Sequence, residues 1–199
     1  LFDVDGNIYK TVIIGNQVWM AENLKTTKYS NGSAIPYVTD GTIWKGLTTG
    51  AYCYFQNSTA NGAVYGGLYN FYAVIDNRNL CPSGWHVPTD SEWSELREYL
   101  GGVNVAGNKL KETGTAHWKS PNASATNSSG FTALPGSWRG LGGAFYYNVG
   151  DCAIWWTSSD DNNPTHPLLY SLWSGPEFNR SHDPYFPNDA GCSIRCLKD

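Results

Sequence analysis

Apolar and polar side chains alternate over the first 24 residues, on both sides of two turn signals. The signals are Asp5-Gly6-Asn7 and Gly15-Asn16. Alternation with a period of two is typical of strands with one buried face, and short turns rich in Asn and Gly join such strands into hairpins. The pattern therefore predicts two or three short hairpin strands at the start of the chain.

A helical period with clear boundaries occurs in the segment VPTDSEWSELREYLGG. Thr89 is placed to cap a helix, and Glu92 follows three residues later, as in a capping box. Gly101-Gly102 ends the pattern. A weaker helical turn is predicted over Gly107–Thr113. The apolar residues at helical spacing, which should face the core, are Trp93, Leu96 and Leu100.

Short apolar segments and long irregular ones make up the rest of the chain. Residues 29–67 are interpreted as mostly surface loop, with one short strand at Ala51–Phe55. After Gly130, the segments FTALPGSWRG, AIWWTSS and CSIRCL each predict a strand core. The interval between the last two has little periodicity, so regular structure cannot bury all of its rings. Those rings are Trp173, Phe178, His182, Tyr185 and Phe186.

Composition narrows the fold class. A chain of 199 residues is long enough for one sizeable core, so a single domain over residues 1–199 is expected. Charged residues make up only 15% of the chain, whereas 9 Trp, 13 Tyr and 22 Gly are high numbers. Disordered chains lack this aromatic content, and helical bundles lack these glycines. An irregular, loop-rich β or α+β domain is therefore expected.

Charge and hydropathy argue against two classes of partner. With 13 Lys and Arg against 17 Asp and Glu, the net charge is -4. The chain therefore has no excess of positive charge that would attract nucleic acid or an anionic bilayer. No apolar run approaches the roughly 20 residues that span a bilayer. The chain opens at Leu1 without a methionine or a basic segment, which is typical of a processed or excised domain.

Six segments carry a resemblance to a known family, in the expected order and across essentially the entire chain. They are DVDGNIYKTVIIGNQVWMAENLKT, YGGLYNFYAV, LCPSGWHVPTDSEW, GFTALPGSWR, WWTSS and GCSIRCLKD. The sequence resembles the Fibrobacter major paralogous domain family, which is similar to C-type lectin folds of the formylglycine-generating-enzyme type. The resemblance implies an α+β, C-type lectin-like scaffold with short strands, one clear helix, extensive loops and clasped termini.

The same resemblance bears on the irregular interval. Some members of the family are target proteins of diversity-generating retroelements, in which a C-terminal segment is rewritten. The candidate variable segment here is residues 140–188, where fixed anchors are expected to alternate with arbitrary residues. The expected anchors include Gly143, Phe145, Gly150, Trp155 and Trp156, and the arbitrary residues include Gly140, Leu141, Tyr146, Tyr147, Asp151 and Ala153.

The five cysteines favour an oxidising compartment, and thus an extracellular location at a cell or virion surface or in secreted form. Cys192 and Cys196 are four residues apart, so on a strand they would share one side and could bind a soft metal. The formylglycine-generating enzymes hold copper with two cysteines spaced one residue further apart. The lectin-like fold implies instead a Cys81–Cys196 disulfide, which leaves Cys53, Cys152 and Cys192 reduced or partly paired.

Catalytic motifs are not evident in the sequence. The chain lacks the GxSxG and HExxH patterns, and its four histidines lie in unrelated contexts. His86 is interpreted as a packed or helix-entry residue. The adjacent acids Asp160 and Asp161 are interpreted as solvated or turn-forming rather than as a general acid and base. No catalysis, cofactor or bound metal is therefore expected.

Three functions from different classes remain open. They are a ligand-binding or adhesion module, a copper-dependent formylglycine-generating-type oxidase, and a structural surface or pilus domain. The first is favoured, because aromatic and small polar residues on loops are typical of antibody binding sites. The expected partner is a protein receptor or a surface glycan, and not nucleic acid.

The binding surface is predicted to lie on the candidate variable segment, since flanking strands can hold its loops rigidly. The alternative is that its aromatic residues fill an irregular core, because Trp and Tyr are mostly buried on average. The side chains expected to be at least partly exposed, and to bind the ligand, are Tyr146, Tyr147, Asp151, Asp161, His166, Trp173, Phe178, His182 and Tyr185.

Overall fold

Short antiparallel strands supply most of the regular structure. The computed structural model describes residues 1–122, 124–159, 167–183 and 185–199. The strands within them are β1 (Thr11–Ile14), β2 (Gln17–Met20), β3 (Tyr52–Cys53), β4 (Leu68–Asn70), β5 (Trp85–His86), β6 (Trp138–Arg139), β7 (Phe145–Tyr146), β8 (Ala153–Trp156), β9 (Leu169–Leu172), β10 (Phe178–Ser181), β11 (Gly191–Cys192) and β12 (Leu197–Lys198). The helices are α1 (Gly41–Trp44), α2 (Thr59–Tyr65), α3 (Phe71–Val74), α4 (Asp90–Tyr99) and α5 (Ala106–Leu110), with 3-10 turns at Phe55–Asn57 and Leu141–Gly143. The expected mixture of many short strands with few helices is confirmed.

The strands of the described residues form three sheets. Their strand orders are β1-β2-β12-β5, β3-β4-β11-β6-β7 and β10-β9-β8. In the first sheet, Leu197 of β12 lies between Trp19 of β2 and His86 of β5. A disulfide joins Cys81, ahead of β5, to Cys196, directly before β12. The pairing implied by the family resemblance is therefore present, and it fastens the last strand beside the first hairpin.

Two elements match the sequence pattern closely. β1 and β2 form the predicted hairpin, with Gly15 in the turn at a φ of +61°. The side chain of Thr89 accepts the backbone N–H of Glu92, and the Glu92 carboxylate accepts the backbone N–H of Thr89 at 2.7 Å. This reciprocal cap starts α4 where the sequence predicts it. The helix ends before Gly101, whose φ of +107° is a left-handed conformation that favours glycine.

Among the described residues, no helix has the length and apolar character to cross a bilayer.

Trp93 of α4 lies in an aromatic cluster that joins the helix to two sheets. Its ring centroid is 4.6 Å from that of Trp19, 5.5 Å from that of Tyr170 and 5.7 Å from that of Phe178. All four side chains are buried. Because Tyr170 and Phe178 belong to β9 and β10, the helix and this hairpin share one core.

The β9–β10 hairpin is the main difference from the sequence prediction, which treats this interval as irregular. All four residues of β9 are buried, so the strand shows no alternation of apolar and polar positions. Phe178 begins β10, pairs with Leu172 and is fully buried in the cluster around Trp93. The expectation that the Phe178 ring is partly exposed is therefore wrong, because strand pairing places it in the core.

The segment FTALPG also departs from the prediction. It forms no strand, and its only β-sheet pairing is an isolated β-bridge between Lys111 and Ala133. Thr132 has a φ of +53° and Ser137 a φ of +58°, and neither value is compatible with a strand. The strand core predicted for FTALPGSWRG is confined to Trp138–Arg139.

A buried arginine connects β12 to the aromatic core. The Arg195 guanidinium donates to Asn23 Oδ1 from Nη2 at 2.9 Å and from Nε at 3.2 Å, and Nη1 donates to the Phe131 carbonyl. Asn23 Oδ1 also accepts the indole N–H of Trp155 at 3.0 Å. Burial lowers the pKa of Arg195, and the negative charge of Glu22 opposes this shift.

His86 lies at the entry of α4, which is one of the two roles that the sequence suggests. Its Nδ1 is 2.7 Å from Asp199 Oδ1, and its Nε2 is 2.9 Å from Glu92 Oε1. Burial alone would lower the pKa of His86, but the hydrogen bonds to Asp199 and Glu92 outweigh it and raise the pKa above 6.5. The ring is therefore held between two carboxylates that favour its protonated form.

We expect these contacts to make the stability of the domain depend on pH. Because the pKa of His86 is higher in the folded chain than in the unfolded one, the contribution is fully present below about pH 6.5 and is lost as pH rises through the folded-state pKa. The side chains are partly exposed, so the contribution is expected to be about 1 kcal/mol or less. Denaturant unfolding of the wild type and His86→Gln at about pH 5.5 and about pH 8 measures it. A difference between the two proteins that is the same at both pH values would contradict the expectation.

Candidate functional site

Four of the residues predicted to bind a ligand converge on one open groove of about 440 Å³. They are Tyr146, Tyr147, Trp173 and Tyr185. The other lining residues are Trp138, Asp183 and Phe186, and these seven together are called the aromatic groove.

One wall of the aromatic groove is a stack of rings held by strand pairing. Trp138 of β6 lies opposite Tyr146 of β7, and their ring centroids are 4.9 Å apart with the planes at 19°. Phe186 also stacks on Trp138, at 3.9 Å and 26°. The Ser137 hydroxyl donates to the Tyr146 carbonyl at 2.7 Å, which fixes the strand pair further. Because these rings rest on each other and on backbone pairing, this wall is rigid.

The second wall consists of Tyr147 and Trp173, which directly follow β7 and β9. Their ring centroids are 5.1 Å apart and their planes meet at 78°. Tyr147 is 57% exposed, and its φ of +58° is left-handed. Such a conformation costs a non-glycine residue on the order of 1 kcal/mol or more, and it is found preferentially at functional sites. The ring is thus presented at the surface by a strained backbone.

A tight turn places the single carboxylate of the groove. Asp183 Oδ1 accepts the backbone N–H of Tyr185 at 2.9 Å, and the Asp183 carbonyl accepts the N–H of Phe186 at 2.9 Å. Asp183 Oδ2 has no partner among the described residues. Tyr185 is 59% exposed. The turn therefore presents a carboxylate oxygen and a tyrosine ring together at the groove.

Two further depressions, each of about 340 Å³, adjoin the aromatic groove. One shares Trp173, Asp183 and Phe186 with it and adds polar side chains of β9 and β10, including Ser171 and Asn179. The other shares Tyr147 and Trp173 and adds side chains that include Lys119 and Asp151. Trp173 borders all three, so the depressions form one continuous surface around this ring.

The two cationic side chains that line the adjoining depressions, Arg180 and Lys119, are paired with carboxylates of the protein. The buried Lys111 instead donates to the backbone carbonyls of Trp173, Ser174 and Gly175. Arg180 donates to both oxygens of Asp90, at 2.8 and 2.9 Å. Lys119 Nζ lies 2.8 Å from Asp151 Oδ1, and its hydrogen bond lowers the pKa of Asp151 although burial opposes the shift. Arg180 and Lys119 are thus already neutralised locally.

The remaining predicted residues fall into three groups. Asp151 lies in the adjoining depression with Lys119, and His182 is exposed on the chain just before Asp183. Phe178 is in the core, as described above. Asp161 and His166 lie outside the described residues, as does Asp160 of the acid pair.

The predicted set of ligand-binding residues lacks three groove residues: Trp138, Asp183 and Phe186. Phe186 is expected among the rings of the irregular interval but not as a ligand contact. Trp138 lies just ahead of the candidate variable segment, in a pattern that predicts a strand, so it is assigned to the scaffold. Asp183 is followed by a proline in the sequence, and only the turn to Tyr185 brings it to the groove. The D-P-Y spacing, an acid beside an aromatic residue in a turn, is the signal that could have identified it.

The cysteines bear on the copper alternative. Cys196 is bonded to Cys81, so its sulfur is not available as a thiolate ligand beside Cys192. Cys53, Cys152 and Cys192 are unpaired and buried. Burial raises the pKa of Cys53 and of Cys152 to about 12, and that of Cys192 well above its ordinary value. The two-cysteine copper site that the sequence leaves open is not formed by this arrangement.

A family model covers nearly the entire chain, including every residue of the aromatic groove and both disulfide cysteines. It is the model of the Fibrobacter succinogenes major domain, and it matches residues 12–198. No curated protein and no solved structure gave a match. The chain therefore belongs to the Fibrobacter succinogenes major domain family.

Proposed function

We propose that the domain is a non-catalytic module that binds a protein receptor or a surface glycan through the aromatic groove, in an extracellular setting. The observation that carries the proposal is the convergence of Tyr146, Tyr147, Trp173 and Tyr185, which come from separate chain segments, on one open surface. Aromatic residues supply large and rigid contact areas at low cost in conformational entropy. A groove with these walls suits recognition of a ligand.

One local feature supports binding over a purely structural role. Tyr147 combines a left-handed backbone conformation with a ring that remains 57% exposed although it contacts Trp173. Backbone strain of this kind occurs preferentially at functional sites, and an exposed ring is available to a ligand.

The finer parts of the proposal concern the scaffold and its variation. We propose a C-type lectin-like scaffold whose segment 140–188 is diversified by a retroelement. Six of the seven groove residues lie within this segment, and Trp138 is the exception. Genes of sibling isolates test the idea, since substitutions spread evenly along the chain, rather than clustered at the groove, would contradict it.

The groove tyrosines are expected to contribute to binding but little to folding. In Tyr147→Ala and Tyr185→Ala, affinity should fall at least about tenfold, because truncated aromatic anchors commonly cost this much. Both side chains are more than half exposed, so the free energy of unfolding should change by less than about 1 kcal/mol. The wild type is screened on a glycan array and a panel of purified surface proteins, and each hit is titrated calorimetrically against both variants.

The matched control is Tyr99→Ala on α4, because Tyr99 is 65% exposed and lies outside the aromatic groove. It should leave the affinity unchanged. If all three variants bind every hit as the wild type does, the groove is not the binding site. If Tyr147→Ala and Tyr185→Ala unfold the domain, these residues belong to the scaffold.

A further inference from the structure

The charge and composition of the aromatic groove identify the chemistry of a ligand more narrowly. Six of its seven lining residues are aromatic, and Asp183 is the only Asp, Glu, Lys, Arg or His among them. Within the described residues, no lysine or arginine side chain lines it. The groove therefore combines aromatic rings with one negative charge.

The rings are arranged to offer more than one face to a small group. Tyr147 and Trp173, which form the second wall of the groove, have their planes at 78°, so the two rings meet edge to face and turn their faces in different directions. The face of an aromatic ring is negative, and it attracts a cation within about 6 Å of the centroid by roughly 0.5–2 kcal/mol. A cation that reaches the open face of either ring gains this attraction.

Asp183 adds a formal charge that the protein does not neutralise. No salt bridge to its carboxylate occurs among the described residues, whereas Arg180 and Lys119 nearby are paired with Asp90 and Asp151. Asp183 Oδ1 is occupied by the N–H of Tyr185, which orients the carboxylate without cancelling its charge. The complementary ligand is a cation.

The shortage of hydrogen-bond acceptors favours one kind of cation. A primary ammonium is strongly hydrated and has three N–H donors to satisfy, for which a groove made mostly of ring carbons offers few partners. A quaternary ammonium has no N–H donor and carries apolar methyl groups. Its methyl groups can contact the rings while its charge interacts with the ring faces and Asp183.

We propose that the aromatic groove binds a quaternary ammonium group, as in choline. This proposal rests on the proposed function, because it names the chemistry that the same groove recognises. The groove volume of about 440 Å³ leaves room for the remainder of the molecule that carries the group.

The test uses choline chloride as the probe and 3,3-dimethylbutan-1-ol, its uncharged carbon analogue, as the matched control ligand. Each is titrated into the full chain and followed by calorimetry and by Trp fluorescence. Choline is expected to bind with a Kd of about 1 mM, as suits so small a ligand, and the uncharged analogue about tenfold more weakly. Nα-acetyl-lysine amide should also bind more weakly than choline.

Variants assign the effect to the groove. Asp183→Asn keeps an acceptor for the N–H of Tyr185 but removes the charge, so it should weaken choline at least about fivefold and leave the uncharged analogue unchanged. Trp173→Ala should weaken both ligands. Glu95→Gln is the control, because Glu95 is an exposed acid of α4 outside the groove, and it should change neither affinity.

The outcomes separate this inference from the proposed function. If the analogue binds as tightly as choline, or the lysine derivative binds more tightly, the quaternary ammonium inference is wrong but the groove remains a binding site. If neither choline nor the analogue binds, the inference is also wrong. The proposed function then depends on whether protein or glycan hits are lost in Tyr147→Ala and Tyr185→Ala.

Discussion

Breaking the Cys81–Cys196 disulfide is expected to lower the free energy of unfolding by about 3–5 kcal/mol. The two residues are 115 positions apart, so the bond removes much of the conformational entropy of the unfolded chain. The range of about 3–5 kcal/mol follows the chain-entropy account of disulfide stabilisation. It also fastens β12 beside β5 in the first sheet. Denaturant unfolding with and without reductant, and of a Cys81→Ser/Cys196→Ser variant, measures the loss.

The double variant supplies the control for this experiment. Reductant should not destabilise it further, since the other three cysteines are unpaired. Peptide mapping under non-reducing conditions should recover Cys81 and Cys196 in one linked species. Free alkylation of both residues in the native protein would contradict the disulfide.

Arg195→Ala is expected to destabilise the domain by about 3–5 kcal/mol, a loss similar to that of the disulfide. The substitution leaves a cavity beneath Phe131 and removes the donor to the buried Phe131 carbonyl. Asn23 Oδ1 keeps only its bond from Trp155. Thermal and denaturant unfolding measure the change.

Two further variants separate the causes. Arg195→Met refills much of the volume without donating hydrogen bonds, so its loss should be smaller than that of Arg195→Ala. Arg97→Ala, at a partly exposed ion pair with Glu98, should cost less than about 1 kcal/mol. The free energy of unfolding of Arg195→Ala could instead lie within about 1 kcal/mol of the wild-type value. In that case, the cost of burying the unpaired guanidinium charge equals the stabilisation that its contacts provide, and the expectation is wrong.

Local signals explain which elements the sequence predicts well. The Thr89–Glu92 cap and the turn at Gly15 depend on residues within a few positions of one another, so their patterns are legible in the sequence. β9 can be recognised as a strand only from its pairing with β8 and β10. Because it is the central strand of its sheet and buried throughout, its residues carry no alternation.

The sequence predicts four of the seven groove residues for a related reason. Tyr146, Tyr147, Trp173 and Tyr185 stand out as rings in an interval without periodicity, and they do line it. Phe178 stands in the same interval, but pairing with β9 commits it to the core. The pairing of β6 with β7, and the placement of the Asp183 turn beside them, depend on contacts between residues that are far apart in the sequence. No local pattern encodes these contacts.

The interior placement of the unpaired cysteines has a practical consequence for probing the groove. The thiolate is the reactive form of cysteine, and burial holds Cys53, Cys152 and Cys192 in the thiol form. All five cysteines lie in the described part of the chain, and the other two are joined to each other. A sulfhydryl introduced by Tyr185→Cys would be the only accessible one, so a fluorophore or spin label can be attached at the rim of the groove without altering any native cysteine.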